Sequence, residues 1–191
     1  LPTHQVVRVD TIGPTLGAEL KQKSITSIIL VLLAIVLFIT FAFRKVSRPV
    51  SSWKYGIATI IALFHDVIIP VGFFSMMNHF VGGYEVDALF ITALLVVLGF
   101  SVHDTIVVFD RVREHLRTDK EKDFEKLVGR SISETFIRSI NTSLTTILAL
   151  IAVYVWGPDT TRHFALTLII GIAAGTYSSI FVGSNLLVTM W

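Results

Sequence analysis

Five long apolar runs, separated by polar segments, dominate the pattern of hydrophobic and polar positions along this chain of 191 residues. Each run is close to the roughly 20 residues that a helix needs to cross the hydrocarbon core of a bilayer. The runs occupy residues 24–43, 55–77, 88–109, 136–156 and 163–190. The pattern therefore predicts an all-α fold, a multi-pass transmembrane helical bundle formed by residues 24–191.

Two polar segments accompany the predicted bundle. Residues 1–23 include a short alternating piece at 5–10 that predicts a strand, and we interpret them as the end of an extracytoplasmic domain and its linker. Residues 119–133 place apolar side chains at helical spacing among charges, which predicts an amphipathic helix at the membrane surface or a solvated linker. Ser131 and Glu134 have the spacing of a capping box that would begin the fourth span.

Composition indicates a membrane protein and argues against several classes of function. Hydrophobic residues make up 53% of the chain and charged residues 16%, whereas soluble proteins average about 25% charged residues. The absence of cysteine excludes disulfides, thiolate catalysis and cysteine-ligated metals. No nucleophile–base arrangement or phosphate-binding loop is visible. The sequence therefore predicts neither a hydrolytic enzyme nor a resident cofactor, and no nucleic-acid partner.

Loop charges predict the orientation of the bundle. Four Lys and Arg residues lie at 44–54 and eight lie from Arg111 to Arg138, against four on the opposite side. Because cytoplasmic loops carry the excess of basic residues, loops 44–54 and 111–135 are predicted to be cytoplasmic and residues 1–23 extracytoplasmic. The odd number of spans then places the two chain ends on opposite sides of the bilayer.

One carboxylate, Asp104, lies in the apolar part of the third run. An ionised acid in hydrocarbon is costly and is by default a functional-site hypothesis. At about 1.5 Å per residue, Asp104 lies about 24 Å from the outer end of its helix, in the cytoplasmic half. Arg138 begins the fourth run at the same face, and His103 directly precedes Asp104. We predict that these three residues form a proton relay, in which movement of the arginine releases or admits a proton.

A second acidic position, Asp66, follows His65 in the second run, and it is interpreted either as a second polar station or as the mark of a wide, wet helix end. Pro70 lies four residues later and predicts a kink near Asp66. Because neighbouring residues point to different sides of a helix, the sequence predicts that His65 and Asp66 do not form an internal pair. Thr142 shares a helical face with Arg138, in a polar stripe that lines a path or joins helices. The spacing of the histidines and aspartates matches no recognised metal site, and none is predicted.

Small residues recur at every fourth position of the fifth run. The row consists of Gly171, Gly175, Ser179 and Gly183. Small side chains at this spacing let another helix approach closely. The row is therefore predicted to be a helix-packing face, and tight packing of this kind is also what a charged pair inside a membrane requires.

The third run ends in the segment His103-Asp-Thr-Ile-Val-Val-Phe-Asp-Arg-Val-Arg-Glu114. This segment resembles NDTVVVFDRIRE, a signature of the SecF family. SecF proteins are the membrane subunits of SecD–SecF protein-export complexes. Supporting matches occur in family order at Gly13–Leu20, Leu63–Val67 and Gly175–Phe181, so the resemblance covers nearly the whole chain. SecF proteins have six spans with an extracytoplasmic domain between the first two. This chain is similar to the last five spans, which implies a fold related to RND transporters.

The resemblance implies a proton-driven accessory of the Sec translocase in a bacterial plasma membrane, which helps to draw secreted polypeptides outward. It implies three partners besides the lipid bilayer: a SecD-like subunit, a SecYEG-type translocon and the translocating preprotein. The family's membrane aspartate maps onto Asp104 and its paired arginine onto Arg138. His103 stands where the family has asparagine, and the choice between H⁺ and Na⁺ as coupling ion stays open.

Two other functions fit the same features of the sequence. One is half of an RND-type small-molecule efflux transporter, which drug susceptibility of a deletion strain would separate from protein export. The other is a non-transporting membrane scaffold, in which Asp104 and Arg138 form a fixed structural pair. Exchanging the two charges would preserve such a pair but abolish proton coupling.

Overall fold

The computed structural model describes residues 14–44, 51–84, 86–118 and 123–191, with only the backbone for 14–17. Most of these residues are helical, and there is no strand among them. The elements in chain order are α1 (Pro14–Ala42), α2 (Ser52–Phe80), α3 (Ala88–Thr118), α4 (Phe124–Trp156), α5 (Asp159–Ser178), a π-helical turn (Ser179–Gly183) and α6 (Ser184–Thr189).

The described residues contain five helices that are long and apolar enough to cross a membrane, with α5, the π-helical turn and α6 acting together as the fifth. The all-α prediction is confirmed. The helices extend beyond the predicted apolar runs, because charged turns continue them past the hydrocarbon-length core. Thus α3 runs on to Thr118 instead of ending at 109, and α4 begins at Phe124 instead of 136.

The separate surface helix and the capping box predicted ahead of the fourth span are wrong. Asp123 caps α4, which then continues without a break through Ser131 and Glu134. The Ser131 hydroxyl donates to the carbonyl of Leu127 at 2.9 Å, a bond that is compatible with a helix interior. The apolar residues of this stretch, such as Phe124, are buried in the bundle rather than laid on lipid. Residues 119–122 lie outside the described part of the chain.

The polar segment at the start of the chain is helical where it is described. Helix α1 begins at Pro14, and proline suits the first helical position because its fixed φ is already helical and it has no N–H to leave unpaired. Residues 14–23 therefore belong to the first long helix rather than to a linker. The predicted strand at 5–10 lies outside the described residues.

The fifth span is the centre of the bundle. Helix α5 packs against α2, α3 and α4, whereas α1 packs mainly against α2. In the most apolar window of each span, 61% of the residues are buried in the fifth, 11% in α4 and 6% in α1. Helices α1 and α4 thus present most of their surface to lipid or to another protein.

An aromatic cluster fixes the ends of three helices near the predicted cytoplasmic side. Phe43 stacks on Tyr55 with ring centroids 5.0 Å apart, and Phe109 meets Tyr55 edge-on at 5.2 Å. All three side chains are almost fully buried. The cluster joins the end of α1 to α2 and α3 on the predicted cytoplasmic side of Asp104.

Candidate functional site

Asp104 points into the bundle. Its side chain is 2% exposed, and the hydroxyl groups of Ser139 and Ser143 on α4 face its carboxyl group. Its Oδ2 atom has no hydrogen-bond partner among the described residues. A buried polar oxygen without a partner is unusual in folded proteins and needs an explanation. An acid that takes up and releases a proton, or that binds a transient water, provides one.

Hydroxyl groups continue from Asp104 into the next helix. Ser143 donates to the carbonyl of Ser139 at 2.9 Å, and its hydroxyl also bonds the hydroxyl of Thr176 on α5. Within the described residues the Ser139 hydroxyl, like Asp104 Oδ2, has no partner. The carboxyl group thus lies among hydroxyls that can either donate or accept a hydrogen bond.

Arg138 lies close to Asp104 but does not pair with it. No ion pair or hydrogen bond links the two in the part of the chain that the structure describes, although His103 and Arg138 both lie near enough to act electrostatically on the carboxyl group. The Arg138 side chain is exposed and borders a cavity of about 600 Å³ between α3 and α4. The cavity is lined by Ile106, Val107, Asp110, Arg111, Glu114, Glu134, Thr135 and Arg138. The guanidinium group therefore has room to move.

The other predicted residues of this site point outward. His103 adjoins Asp104 in sequence but is exposed on the surface of α3. Thr142 is exposed as well, and its hydroxyl donates to the carbonyl of Arg138 at 2.9 Å. Asn141 and Thr145 are exposed on α4 as well, so exposed polar residues continue into its membrane-crossing part. The structure thus separates the predicted relay into a buried acid and exposed polar residues.

Asp66 lies in a second buried polar site, where α2, α3 and α5 meet. Its side chain is 0% exposed. Ser178 of α5 donates to Asp66 Oδ2 at 2.8 Å, and Ser101 of α3 donates to the same oxygen. His65 Nδ1 lies 3.0 Å from Asp66 Oδ1, so the prediction that these two residues do not pair is wrong. Adjacent side chains leave a helix in different directions, but the imidazole is long enough to reach back to the carboxylate.

The row of small residues on the fifth span lies against α3. A Cβ atom on Gly171 would lie 2.2 Å from Val97 Cγ2, and one on Gly175 would lie 2.9 Å from Ser101 Cβ. Ser179 is 0% exposed. At Gly183 the nearest atoms would be 3.7 Å away, an ordinary contact. The closest approach of the two helices is thus at the first two positions of the row.

A charged cluster at the ends of α3 and α4 was not predicted from the sequence. Glu134 accepts hydrogen bonds from Arg111 of α3 and from Arg130 at 3.0 Å, and it lies 3.1 Å from His115 Nε2. Only the density of charges in 111–138 signals such a cluster. Among the described residues no group of three or more potential metal ligands comes together.

Comparison with known proteins identifies relatives over nearly the whole chain. Residues 2–191 match the family described as protein export membrane protein SecD/SecF, C-terminal. The protein translocase subunit SecF of Thermobaculum terrenum is 52% identical over 180 residues, which are 94% of this chain and 55% of that protein. The protein translocase subunit SecDF of Thermus thermophilus is 38% identical over 183 residues, 96% of this chain and 23% of that protein.

A solved structure shows the same arrangement of helices. The crystal structure of SecDF in a super-membrane-facing form matches with a TM-score of 0.75 at 36% sequence identity. The match covers 94% of this chain and 22% of that chain. The chain spans about half the length of the SecF proteins it matches, as the 55% coverage of the Thermobaculum terrenum protein shows.

Proposed function

The chain belongs to the SecD/SecF family of protein export membrane proteins, and from this premise we propose that it forms the membrane part of a SecF-type protein translocase subunit. Such a subunit uses the proton motive force to assist export of polypeptides across the plasma membrane. It acts as a transporter component and not as an enzyme. The observation that carries the proposal is the buried Asp104 carboxyl group, whose Oδ2 atom has no partner among the described residues.

The coupling step is a change in charge at Asp104. When Arg138 turns away into the neighbouring cavity, the apolar surroundings favour the protonated acid. When the guanidinium group approaches, it favours the carboxylate and the proton leaves. Moving one charge through 100 mV makes about 2.3 kcal/mol available, and the alternation of two arginine positions transfers this energy into helix movement. H⁺ is the ion of this scheme.

A SecD-like subunit is the proposed partner. The exposed polar residues of α3 and α4, among them His103, Arg138 and Thr142, are costly to place against lipid. A second bundle of similar build would cover them, as expected for transporters made of repeated halves. A relative that is named SecDF and is longer than the SecF proteins supports this pairing. The SecYEG-type translocon and the translocating preprotein complete the proposed assembly.

The bilayer orientation follows from the loop charges. With the basic segments 44–54 and 111–135 in the cytoplasm, the cavity that holds Arg138 opens toward the cytoplasmic side. The scheme therefore assigns the cytoplasmic side of the proton route to this cavity, which Arg138 borders. The efflux-transporter and scaffold alternatives gain no support from the names of the relatives, which are protein translocase subunits.

The proposal is tested in the full-length protein assembled with its partner subunit. Asp104→Asn keeps the shape of the side chain and removes its ability to release a proton. We expect gradient-dependent export into vesicles to fall to the level seen with a protonophore. Asp159→Asn is the control, because the Asp159 side chain is 88% exposed at the start of α5 and does not line the cavity that Arg138 borders. Export that survives Asp104→Asn, or that follows a sodium gradient alone, would contradict the proposal.

A further inference from the structure

Asp66 is a buried acid for which the proposed coupling step has no use. It lies at the junction of α2, α3 and α5 with its side chain 0% exposed. No lysine or arginine among the described residues bonds to it, so its negative charge is not neutralised by a fixed cation. An unneutralised carboxylate in the apolar interior is costly. The groups that do contact it therefore indicate what it does.

Three hydrogen-bond donors surround the carboxyl group. The hydroxyls of Ser101 and Ser178 both point to Oδ2, and His65 Nδ1 lies 3.0 Å from Oδ1. We call these four residues the Asp66 site. A hydroxyl can turn from donor to acceptor, and a neutral imidazole can carry its proton on either nitrogen. The site can thus keep its hydrogen bonds whether or not Asp66 carries a proton.

His65 connects the site to the surface of the bundle. Its side chain is 33% exposed, whereas Ser101 is 1% exposed and Ser178 0%. The ring lies beside Tyr177 of α5, with centroids 6.1 Å apart. Histidine also has the side chain whose ordinary protonation equilibrium lies nearest neutral pH. The imidazole is therefore the group of the Asp66 site that reaches the surface of the bundle.

The Asp66 site lies one helical turn from Asp104. Ser101 precedes Asp104 by three residues on α3, which is about 4.5 Å along the helix axis. Since the predicted outer end of α3 is at Ala88, the site is on the outer side of Asp104. Further buried hydroxyls lie on the same helices: Thr105 donates to the carbonyl of Ser101 at 3.1 Å, and Thr176 bonds Ser143, which faces Asp104.

We propose that the Asp66 site is a second proton-binding station, on the outer side of Asp104, and that His65 loads it. A proton binds His65 Nε2, the Nδ1–H bond breaks as an Oδ1–H bond forms on Asp66, and the imidazole is neutral again. The site gains one proton in total. This inference rests on the proposed function, because it concerns the same ion, H⁺, in the outer half of the bundle.

The groups around the site favour a proton over a metal cation. From α2 the titratable neighbour is His65, from α5 it is Tyr177 beside the imidazole, and from α3 it is Asp104 one turn away. A hard cation takes about six oxygen ligands, and the site supplies one carboxylate and two hydroxyls. The Asp66 site thus falls short of the number of oxygen ligands that such a cation takes.

Infrared difference spectroscopy tests whether Asp66 exchanges protons. Spectra of the full-length protein in its complex, recorded between acidic and basic pH, report the C=O stretch of each carboxyl group that loses a proton. We expect a band that Asp66→Asn removes and Asp104→Asn leaves in place. If Asp66→Asn removes no titrating band, Asp66 does not exchange protons and the inference is overturned. The measurement does not depend on export.

Proton flux into vesicles tests whether the exchange lies on the transport route. Asp66→Asn and His65→Gln are expected to lower the flux by about tenfold or more, since neither new side chain passes a proton. His79→Gln is the matched control, because His79 is exposed near the outer end of the same helix, and its flux should equal that of the parent protein. Thermal unfolding verifies that each variant is folded. If Asp66→Asn does not fold, the flux of His65→Gln alone tests the inference.

The outcomes separate the two proposals. Unchanged flux in His65→Gln and in folded Asp66→Asn would make the site a structural connection between three helices and overturn the inference. Unchanged flux in Asp104→Asn would contradict the proposed function instead. A titrating Asp66 band together with reduced flux in His65→Gln supports the inference on measurements that do not involve Asp104.

Discussion

Gly171 of α5 lies so close to Val97 of α3 that a Cβ atom added to the glycine would come 2.2 Å from Val97 Cγ2. One turn further along, a Cβ atom on Gly175 would come 2.9 Å from Ser101 Cβ. Ser101 in turn donates a hydrogen bond to Asp66. The close approach of two helix backbones therefore sets the distance between a buried acid and one of its donors.

Gly171→Ala is expected to destabilise the bundle. The new methyl group overlaps Val97, and overpacking of this kind costs about 1–3 kcal/mol. Reversible unfolding in mixed detergent micelles measures the change. Gly183→Ala is the control, because its Cβ atom would meet nothing closer than 3.7 Å, and its stability should stay within about 0.5 kcal/mol of the parent. Equal stability of the two variants would contradict the packing argument.

The membrane-crossing helices were predictable from the sequence, because the surrounding lipid restricts which structures can form there. A helix that crosses hydrocarbon must satisfy its backbone internally and carry an apolar surface, so five apolar runs specify five helices. The helix ends were harder to predict, because water satisfies a charged helical turn as well as a charged loop. For that reason α3 continues to Thr118 and α4 begins as early as Phe124, beyond the apolar runs in the sequence.

The candidate site was predictable only in part. The burial of Asp104 follows from the cost of a carboxylate in lipid, but the choice of neighbours does not, and Ser139 and Ser143 rather than Arg138 face it directly. Asp66 and His65 show the same limit. Helical periodicity predicts only the direction in which each side chain leaves its helix. It does not predict that the imidazole of His65 reaches back to Asp66. The donors Ser101 and Ser178 come from other helices, so their position depends on how those helices pack.

Thr176→Val is expected to weaken the contact between α4 and α5. The hydroxyl of Thr176 bonds that of Ser143 inside the bundle, and a buried neutral hydrogen bond contributes about 1 kcal/mol. Valine keeps nearly the same shape, so the change isolates the bond. Thr145→Val is the control, because the Thr145 hydroxyl is exposed and bonds only its own helix. Unfolding free energies that fall equally in both variants would show that the interhelical bond adds nothing.

Glu134→Gln is expected to loosen the ends of α3 and α4. The carboxylate accepts from Arg111 and Arg130, and the neutral amide cannot pair with either charge. Because these groups are partly exposed, salt screens their attraction. The melting temperature should therefore fall in low salt, and the difference from the parent should shrink as salt is added. Glu125→Gln, on an exposed part of the same helix, is expected to show a smaller change, and a salt-independent loss would contradict the ionic explanation.

Arg138→Ala distinguishes a movable partner of Asp104 from a fixed one. Removing one member of a closed, buried ion pair typically costs about 3–5 kcal/mol, because the remaining charge is left uncompensated. No closed pair joins these residues in the described part of the chain, and Arg138 is exposed beside a cavity. We therefore expect the unfolding free energy of Arg138→Ala to stay close to that of the parent, while gradient-dependent export is lost.

Arg162→Ala, which removes an exposed arginine paired with Asp159, should leave export unchanged. A large loss of stability in Arg138→Ala would instead favour the scaffold, in which the arginine holds Asp104 in place permanently.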